Sequence, residues 1–316
     1  MSHQIDEGEK KISSGSGPSG SFGPEAAQFF VVSLWASTFI VTKAIFAELS
    51  PLAFAFIRFA LMTILAFAIL ALRRRGRLPP IRRADLLLFL AAGLTGYTLY
   101  QLGFVLGLDY TSPFSSSLLI AMVPFFTMVF LAVRGERQPR HAWLGLAVGL
   151  VGVVIFLTDK LGSPGSLVGD ALSLGAAVSF AIYGLVNRPL VRAYPPEAYT
   201  AYALLAGAIP LLIISTPAAL AQNWGAISLW GWIGIVYMVV LPVYVAYMLW
   251  NWAIARRGAA AATSFSLLVP ILSGILSALL FGEEFGIVKL LGAACVLAGL
   301  LVIRYPAKPA KAPEAN

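Results

Sequence analysis

Ten apolar segments follow one another along this chain, near residues 25–47, 51–72, 84–107, 112–133, 141–158, 170–189, 197–215, 228–253, 259–281 and 285–303. A helix needs about 20 apolar residues to cross the hydrocarbon of a bilayer. Several of the intervening turns are only a few residues long, so neighbouring helices must run antiparallel. The expected fold class is therefore an all-α integral membrane protein with ten transmembrane helices. Composition agrees, since 59% of the residues are hydrophobic and 11% are charged, where soluble domains carry about a quarter charged.

The basic residues set an expected orientation. With the N-terminus inside, one face collects Lys10, Lys11, Arg73, Arg74, Arg75, Arg77, Arg82, Arg83, Arg134, Arg137 and Arg140. It also collects Arg188, Arg192, Arg256, Arg257, Arg304, Lys308 and Lys311, while the opposite loops hold Lys160. That asymmetry predicts cytoplasmic N- and C-termini and, with no targeting peptide, a bacterial-type cell inner membrane. It also accounts for the net charge of +8 without nucleic acid as a partner; membrane lipid is the surface such charge meets. The polar tails 1–23 and 305–316 are expected to be disordered and cytoplasmic. The one cysteine, Cys295, lies in an apolar run, so neither a disulfide nor a metal cluster is expected.

The chain repeats itself. At an offset of 147 residues, Gly135 and Glu136 fall on Gly282 and Glu283, Leu144 and Gly145 on Leu291 and Gly292, and Gly152 on Gly299. Pro124 parallels Pro270, and at a slightly shorter offset Pro51 falls on Pro196 and Lys43 on Arg188. Two five-helix units emerge, 24–158 and 170–304, joined by an extracytoplasmic linker, 159–169. Five is odd, so the second unit enters the membrane inverted. Inverted repeats around a central cavity are a recurrent architecture of secondary transporters. Duplication without functional content is the bland alternative.

The stretch "LWASTFIVTKAIF" (34–46), the Pro51 to Arg58 segment and the twice-used Gly-Glu before a Gly-rich helix resemble the drug/metabolite transporter superfamily. The likeness is to its EamA-type ten-helix branch, and within that to the YddG-type amino-acid exporters. The resemblance covers about residues 25–304. It implies ten helices around a central cavity, with the fifth and tenth packed peripherally, and a small-molecule substrate, amino acids first. Gly145, Gly149, Gly152, Gly292 and Gly299 read as helix packing. The oligomeric state stays open, with a monomer favoured.

A cavity needs polar or aromatic groups on an inward face. Tyr97, Tyr100, Gln101 and Phe104 share one helical stripe in the third segment, and Tyr244, Tyr247, Met248 and Asn251 share one in the eighth. The 147 offset superposes Tyr97 on Tyr244 and Tyr100 on Tyr247. Tyr183 with Asn187, and Trp35 with Thr38, are further candidates to bind substrate. Cavity lining competes here with interhelical contacts and an interfacial aromatic belt. Lys43 is expected either to snorkel or to face the pathway, the second being favoured, with Arg58 structural. No cofactor is expected.

Every carboxylate and histidine is expected at a span edge, in a loop or in a tail, so no mid-span group titrates. That predicts uniport or facilitated export of small zwitterions by alternating access. An enzyme is disfavoured, for the chain has no H-E-x-x-H, no phosphate-binding loop and no mid-membrane acid or histidine pair. Export of other metabolites or drugs is the alternative, with a channel or scaffold behind it.

Overall fold

The structure is a computed structural model that describes residues 23–159, 164–257 and 265–304. Apart from Gly23, the expected tails lie outside the described residues. So do residues 160–163 of the linker and 259–264 of the ninth segment.

Ten apolar helical rods follow in order. They are α1 (Pro24–Ile45), α2 (Pro51–Arg73), α3 (Arg83–Tyr110), α4 (Pro113–Val133) and α5 (Arg140–Thr158). After these come α6 (Gly165–Ala193), α7 (Pro196–Ala221), α8 (Leu229–Ala253), α9 (Leu268–Phe281) and α10 (Ile287–Arg304). Nine are long and apolar enough to cross a membrane, while α9 has 14 described residues. The starts follow local rules. Ser50 and Ser112 each cap a helix that opens on proline, their hydroxyls accepting from the N–H of Ala53 and Ser115. Proline fits there because its missing N–H would have no intrahelical partner.

The two halves share their irregularities as well as their helices. A π-helical stretch interrupts α3 at Leu94–Leu99, and another interrupts α8 at Leu241–Val245. Both begin at positions related by the 147-residue offset. α4 breaks at Ala121–Met122 just before Pro124, and a turn at Ser266–Leu267 precedes Pro270. Packing follows the same exchange: α1 lies against α8 and α9, and its counterpart α6 against α3 and α4.

α5 and α10 form the closest helix pair, on the periphery. A Cβ added at Gly299 would sit 2.4 Å from the Gly145 carbonyl oxygen, and one at Gly152 would sit 2.8 Å from that of Gly292. Those two contacts are related by the offset and cross in antiparallel sense, as an inverted pair requires. In lipid, apolar surface gains little by leaving the tails, so close van der Waals packing of small residues holds such helices together. One buried cluster joins α1, α2, α3, α7 and α8, and a second joins α4, α5 and α10 with Leu267 beside α9.

Candidate functional site

Aromatic side chains from α1, α3, α6, α7 and α8 meet along the inner faces of the bundle. Tyr97 packs on Tyr183 with centroids 5.8 Å apart and on Phe59 at 6.5 Å. Tyr183 shares a 2.6 Å hydrogen bond with the hydroxyl of Tyr199, which Asn187 also contacts. Tyr100 stacks on Phe104 and lies 5.0 Å from Phe180, itself 5.3 Å from Tyr183. From the other half, Trp35 packs on Tyr247 at 5.8 Å and Trp250 at 4.9 Å. Tyr247 is half exposed and lies within electrostatic range of Tyr183 and Tyr100, and among the described residues no ring contact joins the two groups.

A π stretch runs through or just before the rings that α3 and α8 contribute, Tyr97, Tyr100 and Tyr247. One extra residue in a turn shifts the phase beyond it by about 100° and leaves backbone carbonyls short of their usual partners. Trp35 takes up one of them, donating from Nε1 to the Pro242 carbonyl at 3.2 Å, within the π stretch of α8. In α8 the expected single stripe is divided. Tyr244 turns to α2, its hydroxyl donating to the Met62 carbonyl at 3.1 Å, whereas Tyr247 turns to α1. Asn251 is exposed, as is Tyr247 one turn before it, and makes no hydrogen bond among the described residues. Thr38 bonds the carbonyl of Trp35 on its own helix at 2.6 Å.

Gly96 explains how Tyr183 comes so close. A Cβ there would lie 2.3 Å from the Tyr183 ring. Only a residue without a side chain lets α6 lay its tyrosine across α3 at this point.

Lys43 lies two residues before the last residue of α1, and its ammonium turns to the end of α3. Its Nζ donates to the carbonyls of Leu108, Asp109 and Thr111 at 2.7, 2.8 and 3.2 Å. It caps the C-terminal end of α3, where the helix dipole and orphan carbonyls favour a positive charge. Arg58 is the cation nearer the rings. Its Nη1 donates to Gln101 Oε1 at 3.4 Å, its guanidinium stands 5.9 Å from the Phe54 centroid, and Tyr100 is within electrostatic range.

The two faces of the bundle are held unequally. At the face carrying the α1–α2 turn, Glu48 accepts from the Ser228 N–H at 2.6 Å and hydroxyl at 2.7 Å, tying that turn to the start of α8. These bonds hold the Glu48 carboxyl below the usual carboxylate range. Nearby Glu283 accepts from Ser112 at 2.5 Å, from Ser277, and from Lys289 at 2.6 Å. Thr111 donates to the buried Asp170 at 2.7 Å. Two carboxylates expected at span edges are thus near those edges but buried. At the opposite face Glu136, the repeat counterpart of Glu283, stands 4.0 Å from Arg188, and both are about half exposed.

The model of the EamA-like transporter family matches residues 26–158 and again 167–305. The chain belongs to the EamA-like transporter family. Among relatives, an uncharacterized inner membrane transporter, YedA, of Escherichia coli K12 is 28% identical over 91% of this chain and 94% of its own. A probable amino-acid metabolite efflux pump of Salmonella typhimurium is 27% identical over 86% of this chain and 91% of its own. A probable terminal-alkyne amino-acid exporter of Streptantibioticus cattleyicolor is 28% identical over 70% and 74%. A crystal structure 20% identical in sequence shares the fold with a TM-score of 0.58, covering 88% of this chain and 95% of that one. This EamA-like transporter is thus a multi-pass membrane protein.

Sequence reasoning missed Phe180 on α6 and Tyr199 on α7, although the shorter offset that lays Pro51 on Pro196 also lays Trp35 on Phe180 and Phe54 on Tyr199. It singled out Arg58 as a cation unexplained by orientation, but the pairing with Gln101 needed α2 and α3 side by side.

Proposed function

We propose that this EamA-like transporter exports small zwitterionic metabolites, first of all aromatic and neutral amino acids, by alternating access through the aromatic-lined centre of the bundle. The observation that carries this reading is the pair of aromatic groups, Tyr97, Tyr100 and Tyr183 on one side and Trp35 and Tyr247 on the other, with a π stretch in α3 and another in α8 beside them. Aromatic faces accept an ammonium or a flat side chain, and hydroxyls and π-stretch carbonyls supply polar contacts. The names of the Salmonella and Streptantibioticus relatives point to the same substrate class.

The unequal faces support alternating access. The Glu48 and Glu283 bonds seal one side, while the related Glu136–Arg188 pair stays loose on the other. Exchange of these roles between halves opens the site to each side in turn. With the basic loops cytoplasmic, both termini inside and the chain in the inner membrane, the sealed side is the outer one. Among the described residues no hydrogen bond of the ring cluster engages a carboxylate, which favours facilitated transport without a proton-carrying acid at the site. A monomer in lipid suffices for all of this.

Countertransport in proteoliposomes tests the reading. Labelled phenylalanine uptake should saturate, rise with unlabelled amino acid inside, and proceed without an ion gradient. Absence of exchange for every amino acid tried, in folded protein, would sink it.

A further inference from the structure

Among the described residues four helix cations are at least partly buried, and three are accounted for. Lys289 pairs with Glu283 at 2.6 Å. Lys43 caps three carbonyls. Arg304 bonds Ser266 at 3.0 Å near a membrane face. Arg58 is different: among the described residues it has no ion pair, and its one hydrogen bond is the 3.4 Å contact to Gln101.

Depth makes this notable. Arg58 is seven residues into α2, about 10 Å from its end, and Gln101 is nine residues from the end of α3 at the same face, about 14 Å deep. A charge inside the membrane costs several kcal/mol unless it is neutralised or reaches water. Two donors of this pair are also buried without an acceptor, Arg58 Nε and Gln101 Nε2. Gln101 itself is 2% exposed, while Arg58 is only partly buried. Nε and a neighbouring Nη of a guanidinium form the fork that grips both oxygens of a carboxylate. An amide donor beside that fork supplies a third bond.

We propose that Arg58 and Gln101 form a carboxylate subsite, holding the acid end of the substrate while its side chain lies among the rings beyond Tyr100. The choice of carboxylate in place of a phosphate follows from charge: one cation and one amide match a single negative charge. The proposal rests on the amino-acid reading above and assigns one end of that substrate. It reverses the expectation that Lys43 would be the pathway cation and Arg58 the structural one.

The test uses counterflow of labelled phenylalanine, with competition by 3-phenylpropionate, which keeps the carboxylate, and by phenethylamine, which keeps the ammonium. In the wild type, 3-phenylpropionate should compete better by about tenfold or more. Arg58→Gln, with unchanged thermal unfolding, should lose that preference, and Arg58→Lys should keep part of it. Equal competition in the wild type, or a folded Arg58→Gln that retains the preference, overturns the proposal. Where Arg58→Gln does not fold, the wild-type comparison and Gln101→Leu decide, a retained preference in the latter counting against it. If the wild type carries no amino acid, the transport reading falls separately. In that event a rise in unfolding temperature with 3-phenylpropionate, present in the wild type and absent in Arg58→Gln, upholds the subsite, and no rise overturns it.

Discussion

Replacing Lys43 with methionine separates a structural lysine from a pathway lysine. The side chain keeps its length and loses the ammonium, so the carbonyls of Leu108, Asp109 and Thr111 lose a shared donor. A hydrogen bond to a charged group contributes about 1.5–3 kcal/mol net. The Asp109 contact is exposed and water can replace it, which leaves two part-buried bonds. The methionine also relieves the desolvation of a half-buried cation. The balance is a loss of about 2 kcal/mol, or roughly 3 °C in unfolding temperature for a chain of this length. Thermal unfolding in detergent and phenylalanine counterflow in liposomes, on the same preparation, give both readouts. The expected result is lower stability with a KM within about twofold of wild type, since cap and ring cluster are separate. An unchanged unfolding temperature together with a KM raised by about tenfold would refute the cap and return Lys43 to the pathway.

Three further outcomes follow from named contacts. Gly299→Leu must push α5 and α10 apart, because even a Cβ would lie 2.4 Å from the Gly145 carbonyl oxygen; a loss of about 1–3 kcal/mol or more is expected, read as lower yield of folded protein. Gly96→Ala places a methyl 2.3 Å from the Tyr183 ring; the ring must move, so KM should change by more than the unfolding temperature does, and an unaltered KM would count against Tyr183 as lining. The Glu48 clamp carries a pH signature. Its carboxyl is held below the ordinary value by Ser228, so its stabilisation is complete above about pH 5 and is lost as pH falls through the depressed value. Wild type should therefore exceed Glu48→Gln in unfolding temperature at pH 7, and the gap should close towards pH 3. A gap that widens with acid would contradict the bonding described.

The balance of bonds between the two faces bears on the transport cycle. Glu136 and Glu283 occupy the same place in the two halves, yet one carboxylate is buried among three donors and the other faces Arg188 across 4.0 Å. Under the alternating access proposed above, such a difference between matching positions is what a two-state exchange between inverted halves would give. Cross-linking cysteines at Glu136 and Arg188 is expected to arrest transport by holding the second face shut.

Much of this architecture is written in one dimension. Bilayer thickness fixes the length of an apolar run, so most helix ends were legible to within a few residues, though α6 starts five residues earlier and α7 ends six later than expected, and Gly145, Gly152, Gly292 and Gly299 marked the closest pair because backbone contact in lipid demands small residues. The repeat was equally visible, down to Tyr97 over Tyr244. What periodicity could not show was the π stretch in each half. An inserted residue leaves hydropathy unchanged while turning every later side chain, and so it sent Tyr244 to α2 and Tyr247 to α1. The fate of a membrane cation was likewise undecided by sequence. Lys43 and Arg58 lie at similar distances from the same turn, and only the packing of α3 against both helices gave one of them three carbonyls and the other a glutamine. Depth is a property of a single helix, but a partner belongs to a neighbour, and neighbours are settled by tertiary structure.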